Sequence, residues 1–394
     1  MEREKSLKHG ETPVEPISSC RDESGYLPTV GRWGSEGVPL PLPVWAHYES
    51  AALTVDTVEQ YEELASSVEL ETQRLLREHR YDTIGNFLKF YKDFKRSAEP
   101  MVERFYQKYQ PLITRKHHTC VGLGFELLSR LSLLNDRFPG IANGLYLVSC
   151  EETIGDIEGY VGGPPAADSG EKEHVLVCLK IEINGRRGVL LLDPGYHVAR
   201  VVTVMVDKHY PHTGWFTQSD EPSCKKEYNY SLCPQDPDYV EWHERENRPG
   251  ALERTQVALI YVARPYLTAI DVTERRNIVY NFRSLLARDT KGHVTAGLYF
   301  PLTLDNAQMF TIFYQTNDGK NRVKMPFNKF YSSSKIAPSD DDWLIISECA
   351  RQLDMTRDVF ESLLSALATV MNDTSFIAQI LSINSRINSL AEDN

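Results

Sequence analysis

Residues 174–196 read HVLVCLKIEINGRRGVLLLDPGY, and the register of this stretch decides the fold around it. Asn184-Gly185 separates two apolar runs and is the strongest short-range signal for a two-residue hairpin turn, since both residues tolerate positive φ. With such a turn Ile183 faces Arg186, His174 faces Gly195 and Asp193 faces Leu176. His174 and Asp193 then share one face of the ribbon as diagonal neighbours, within reach of each other. The opposite face carries Val175, Val177, Leu179, Ile181, Ile183, Leu190 and Leu192, an apolar wall for a core. One face is expected to pack and the other to present an imidazole beside a carboxylate. A slip of one residue would put the two groups on opposite faces.

The totals bound what such a ribbon can belong to. A chain of 394 residues should hold two or three domains with a large core. Charged residues at 25% and hydrophobic residues at 41% are the balance of an ordinary globular protein. The net charge of -12 argues against sequence-independent nucleic-acid binding, which needs a basic field. The opening MEREKSLKHG lacks an apolar h-region, and no apolar run approaches membrane-spanning length. A cytoplasmic protein without nucleic-acid or membrane partners is expected, and its oligomeric state is not legible. The seven cysteines are odd in number and scattered, so free thiols are expected rather than a disulfide framework.

Along the chain, residues 1–55 read as an extended or partly disordered arm, rich in Pro, Gly, Ser and charge. Residues 56–140 form a helical region. It begins with TVEQYEELASSVELETQRLLREH, continues as one or two helices broken near Pro100, and ends in a helix opening near Cys120 with Thr119 as N-cap. Residues 141–210 read as a β region: the strand GLYLVSCEE, a Gly/Pro/acid-rich loop, the hairpin, and a further strand in HVARVVTVMVD. Residues 211–335 are a β-rich or lid region. Its first part, down to residue 252, is polar, aromatic and without periodicity. Strands follow at TQVALIYVA, HVTAGLYFPLTL, MFTIFYQT and NRVKMPF, while NIVYNFRSLLA fits helix or strand. Residues 336–394 return to helix, with Asp340, Asp341 and Asp342 at its start. The order predicts an α+β fold: an N-terminal helical bundle, a central antiparallel β-sheet or barrel, and a C-terminal part of mixed strands and helices.

Cys120 stands apart from the other cysteines. It falls in the first turn of its helix, where unpaired N–H groups and the helix dipole favour a thiolate. With His174 as base and Asp193 orienting the imidazole, it makes a thiol–imidazole–carboxylate triad. The bland reading is a small core residue opening a helix. Gly122 and Gly124 are poor helix formers just after it, suited to close approach by a strand or ligand, or marking a later helix start. Lys116, His117 and His118 precede it as a basic loop that could tune the thiol. Cys178 shares the His174 face and is read as buried. His209, His212, Cys224, Cys233 and His243 are metal-capable, but the Cys-x8-Cys spacing does not match a structural zinc site, so no metal is expected.

The stretch from about 120 to 200 resembles the arylamine N-acetyltransferase family, within the wider transglutaminase-like fold group. The matching pieces are Cys120 with Phe125-Glu126-Leu127, the strand GLYLVS, His174-Val175 opening its strand, and Asp193-Pro194-Gly195-Tyr196. The domain order extends the resemblance to roughly residues 60–335. Lys116-His117-His118-Thr119 stands where the family has Arg-Gly-Gly, and His197 replaces the small last residue of its glycine motif. The resemblance implies a catalytic Cys120, His174 and Asp193, a covalent acyl-cysteine, and acetyl-CoA or another acyl-CoA as donor. Three functions stay open on these residues. The first is a thiol-dependent acyltransferase acting on a small-molecule amine. The second is a transglutaminase-like thiol hydrolase, protease or deamidase acting on a protein. The third is a non-catalytic descendant that binds a ligand or partner in the same cleft.

Overall fold

A computed structural model describes residues 31–34, 38–113, 118–162, 172–305, 308–331 and 337–390. Most of the expected N-terminal arm, together with Lys116 and His117, lies outside the described residues. The arm's last part lies along the body. Trp45 bridges Tyr266 and donates from its indole nitrogen to Ser149 Oγ at 3.1 Å.

The helical region opens with a short strand β1 (Leu53–Val55) and α1 (Val58–Glu78), whose N-cap Thr57 accepts from the Gln60 N–H. Buried Tyr61, Leu64, Val68, Thr72 and Leu75 recur every three or four residues, so one stripe of α1 faces the core. Strand β2 (Tyr81–Asp82) precedes α2 (Ile84–Arg96) and α3 (Val102–Lys108), separated at Pro100 as its missing N–H requires. Then comes α4 (Cys120–Ser132), capped by Thr119, and the short α5 (Ile141–Gly144). A Cβ at Gly122 would lie 2.7 Å from His118 Nδ1 and one at Gly124 would lie 2.8 Å from Leu147 Cδ2. The two glycines, each about 1 kcal/mol poorer than Ala in a helix, thus let a loop and a strand close on α4.

Strand β3 (Leu145–Glu151) and the short α6 (Ile157–Gly162) lead to the hairpin of β4 (His174–Ile183) and β5 (Arg186–Leu192). Ile183 pairs with Arg186 and Val177 with Leu192, the register of a two-residue turn, with φ of 48° at Asn184 and 76° at Gly185. The ladder ends at Val177–Leu192, so Asp193 lies just beyond it and His174 pairs instead with Cys150 on β3. Strand β6 (Val202–Met205) continues the sheet and is shorter than its sequence suggests. Residues 209–252, polar, aromatic and short of periodicity in sequence, hold β7 (Phe216–Glu221), β8 (Cys224–Leu232) and β9 (Tyr239–Asn247). The inward residues there are Tyr228, Tyr230 and Trp242 rather than aliphatic ones, so a pattern that reads as polar conceals true alternation. Strand β10 (Arg254–Tyr261) closes a nine-stranded sheet of order β6-β5-β4-β3-β10-β9-β8-β7, antiparallel except that β1 joins β4 in parallel.

Both faces of the hairpin are buried along most of its length, which corrects the expected polar face. One face presents Val175, Val177, Leu179, Ile181, Ile183, Leu190 and Leu192 to the helices, meeting Leu64, Val68, Leu127 and Leu131. On the other face, the sheet curls around Leu176, Cys178, Val189, Leu191, Val204, Tyr228, Tyr230, Trp242 and Ile260. Each such aliphatic side chain contributes about 1.5–3 kcal/mol on full burial.

The ambiguous NIVYNFRSLLA resolves into both forms: a wide helical turn at Ile270–Glu274 runs into α7 (Arg275–Val279), and β11 (Phe282–Arg288) follows. With β12 (Val294–Pro301), β13 (Met309–Thr316) and β14 (Gly319–Pro326) it forms a second sheet of order β14-β13-β12-β11-β2. Helices α8 (Asp340–Gln352), α9 (Arg357–Asn372) and α10 (Thr374–Asn388) complete the chain, and α8 opens with a capping box between Ser339 and Asp342. Phe360, Leu364 and Ile380 from these helices share the main core with Phe300, Phe310 and Ile312 of the second sheet. Among the described residues no single helix is long and apolar enough to cross a membrane.

Candidate active site

The site lies where the start of α4 meets the open end of the β4–β5 hairpin. Thr119 sits at the N-cap in extended conformation, and its hydroxyl accepts from the Val121 N–H at 3.3 Å. The same hydroxyl donates to Glu274 Oε2, whose partner oxygen Oε1 accepts from Asn86 Nδ2 at 2.5 Å. Cys120 is therefore the first residue of a helix whose start is pinned from two sides.

His174 opens β4 and Asp193 follows β5, which brings His174 Nε2 to 2.9 Å from Asp193 Oδ1. Cys120 approaches the imidazole from the helix side, its Cβ and His174 Cε1 both lying against Gly195. Cys120, His174 and Asp193 are each 2% exposed. Gly195 packs among all three. A Cβ on it would lie 2.6 Å from His174 Cε1, 2.7 Å from Cys120 Cβ and 3.3 Å from Asp193 Oδ1. The three residues picked out in the sequence are thus brought together. Asp193 Oδ1 also accepts from the Tyr196 N–H at 2.9 Å, which holds the carboxylate from the tight turn after β5.

Burial alone would push the His174 imidazole down, but the Asp193 carboxylate and then Cys120 outweigh it and hold the ring well above its ordinary value. A charged imidazole beside the thiol is the species that favours a thiolate. His197 behaves oppositely. Burial, with Arg288 and His174 nearby, pushes its imidazole well below the usual value. Arg288 Nη1 stands 3.1 Å from His197 Nδ1 and can only donate, so Nδ1 of that ring accepts.

A cavity of about 200 Å³ opens over the thiol, lined by Cys120, His174, Tyr81, Tyr196, Asn277 and Tyr280 among others. Sequence reasoning missed several of these. Tyr196 stands edge-on to His174 with centroids 4.5 Å apart, and its hydroxyl donates to Glu152 Oε1. Asn277 Nδ2 lies 3.8 Å from Cys120 Sγ although the two are 157 residues apart in the chain. Nothing in the run Glu274-Arg275-Arg276-Asn277 signals this, because the charged residues that mark a surface in sequence are buried here. Tyr196 could have been found, since it follows the Asp193-Pro194-Gly195 turn directly.

The remaining candidates play other parts. Cys178 is buried and donates weakly to the Tyr146 hydroxyl at 3.4 Å, as a core thiol does. The His118 ring is buried edge-on against His79, 4.8 Å between centroids. His212 Nδ1 accepts from the Met205 N–H at 3.2 Å and His243 pairs with Glu241 at 2.8 Å. Among the described residues no group of three or more His, Cys, Asp or Glu side chains is placed to hold a metal ion.

No family model and no curated protein matches this chain. Among solved structures, it is similar to the arylamine N-acetyltransferase from Mycobacterium abscessus over 73% of this chain and 88% of that one. The identity is 9% and the TM-score 0.34, a distant structural likeness that carries no weight for the activity.

Proposed function

We propose that the chain is a cysteine-dependent acyl-transfer enzyme using Cys120, His174 and Asp193. The observation that carries the reading is the buried convergence of Cys120, His174 and Asp193 on Gly195, beside a cavity of about 200 Å³. With Nε2 engaged by Asp193, Nδ1 is the nitrogen left to take the Sγ proton. The thiolate attacks the carbonyl of a thioester or ester, the C–S bond forms, and the C=O pair moves onto oxygen. Collapse expels the leaving group, which takes the proton back from His174. An amine then attacks the acyl-cysteine, gives a proton to His174 and leaves as the amide, while Cys120 is released as thiolate. Asp193 keeps the ring oriented and balances its charge throughout.

Acetyl-CoA or another acyl-CoA is one donor of this class. A wider cavity of about 960 Å³ shares Tyr196 and His197 with the one over the thiol, and its cations are already engaged. Lys226 pairs with Glu244 and Glu246, and Lys320 and Arg322 pair with Glu221. A donor's phosphates would have to displace such a pair, so the proposal commits to the acyl chemistry rather than the carrier. The same wide cavity favours a second reading, in which a larger acyl substrate such as a protein side chain is hydrolysed or deamidated.

Limiting iodoacetamide should label Cys120 before the other cysteines, and His174→Ala should slow that labelling. Incubation with acetyl-CoA or p-nitrophenyl acetate, followed by intact-mass and peptide mapping, should find one acetyl group on Cys120. Turnover of that adduct by an amine marks a transferase, and turnover by water alone marks a hydrolase. Equal labelling of several thiols, with no adduct from either donor, removes catalysis and leaves a binding protein.

A further inference from the structure

We infer that Asn277 is the side-chain donor that stabilises the oxyanion formed on the acyl group at Cys120; this rests on the acyl-transfer reading above. Asn277 Nδ2 lies 3.8 Å from Cys120 Sγ, and the residue is buried and lines the cavity over the thiol. In the tetrahedral intermediate the carbonyl carbon is bonded to Sγ, so its oxygen lies one bond further from sulfur than the carbon does. An amide N–H that already reaches the sulfur from the cavity side is placed to reach that oxygen. The Cys120 N–H opens α4 and so has no acceptor within the helix, which makes it the natural second donor.

The placement of Asn277 is built rather than incidental. Its backbone carbonyl accepts from Arg283 Nη1 at 2.6 Å, and the Arg283 guanidinium is itself buried over the Phe87 ring, 4.3 Å from the centroid. Glu274 lies three residues before Asn277, on the same side of one helical turn. Glu274 holds Thr119 and Asn277 reaches Cys120, so one short segment grips two consecutive residues at the start of α4. A side chain needed only for packing would not require an amide against a thiol, a weak acceptor.

The chemistry supplies a test that separates this role from a structural one. Acylation of Cys120 by p-nitrophenyl acetate forms an oxyanion: the C–S bond forms, the π pair moves to oxygen, and collapse releases p-nitrophenolate. Alkylation by iodoacetamide displaces iodide directly and forms none. Asn277→Ala should lower the acylation rate by about 100-fold, the usual cost of one oxyanion donor, with alkylation of Cys120 within about threefold of the wild type. Asn277→Asp keeps the volume but replaces the donor by an acceptor, and should lose at least as much acylation. Asn277→Gln, which retains an amide, should recover part of it. Equal losses in both reactions would show that Asn277 merely holds Cys120 in place, and unchanged acylation in Asn277→Ala would overturn the inference outright. A wild type that is alkylated at Cys120 but acylated by neither p-nitrophenyl acetate nor acetyl-CoA would overturn the acyl-transfer reading itself, and this inference with it.

Discussion

Gly195 lies against Cys120 so closely that a Cβ on the glycine would be 2.7 Å from the cysteine Cβ. The same atom would meet His174 Cε1 at 2.6 Å, so the missing side chain leaves the space that lets Cys120 and the imidazole come close. Gly195→Ala must push one of them aside. Overpacking of this kind costs about 1–3 kcal/mol in stability. The loss in reactivity should be the larger effect: alkylation of Cys120 should fall more than tenfold while the variant stays folded by circular dichroism. A variant that labels at the wild-type rate would mean that the contact is not needed.

Asp193 is the main support for the charge on His174, and its removal can be read directly. The midpoint of the His174 ring, followed by nitrogen-15 NMR, should lie above 6.5 in the wild type and fall in Asp193→Asn. A raised midpoint means that the folded state holds the proton more tightly than the unfolded chain does. The stabilisation is therefore complete below pH 6.5 and is lost as pH rises through the folded midpoint. The stability gap between wild type and Asp193→Asn should narrow over the same range.

Glu274 carries the opposite kind of shift for a carboxylate. Burial pushes its carboxyl up from 4.5 to about 7, against the lowering effect of its hydrogen bonds to Thr119 and Asn86. Between those values the folded protein binds a proton that the unfolded chain has released, so stability falls as pH rises from about 4.5 to 7. The drop is on the order of 3 kcal/mol. Glu274→Gln should flatten that part of the curve in urea titrations run at several pH values. An unchanged slope would show that another group is responsible.

Lys172 and Glu151 form a fully buried ion pair two residues before His174, with the Tyr160 hydroxyl also on Glu151. Lys172→Met leaves a carboxylate buried and should cost about 3–5 kcal/mol. The double variant Lys172→Met with Glu151→Gln should recover most of that loss in chemical denaturation. Additive losses would mean that the two residues do not act as a pair.

The parts of the fold that were legible in sequence are those with aliphatic periodicity or strong punctuation. Thr57, Pro100, Thr119 and the Asn184-Gly185 turn mark element boundaries that the structure keeps. Because that turn sets the parity of both strands, His174 and Asp193 could be placed on one face before any coordinates. Strands β7, β8 and β9 were not legible, since their inward positions hold Tyr228, Tyr230 and Trp242 among charged neighbours. A central antiparallel sheet or barrel was expected, but not that its curl would bury the second face of the hairpin. At the site, local signals pointed to Cys120, His174 and Asp193. Asn277 depends on a tertiary contact between α7 and α4, with buried Arg275, Arg276 and Arg283 around it, and no local pattern encodes that.

Tyr196 touches two rings at once, edge-on to His174 and, at 4.9 Å, to Trp242, which in turn stacks on Tyr230. An indole in that position is an optical reporter built into the protein. Tyr196 stands between the His174 imidazole and the Trp242 indole, so the emission of Trp242 is the place to look for a change of charge on His174.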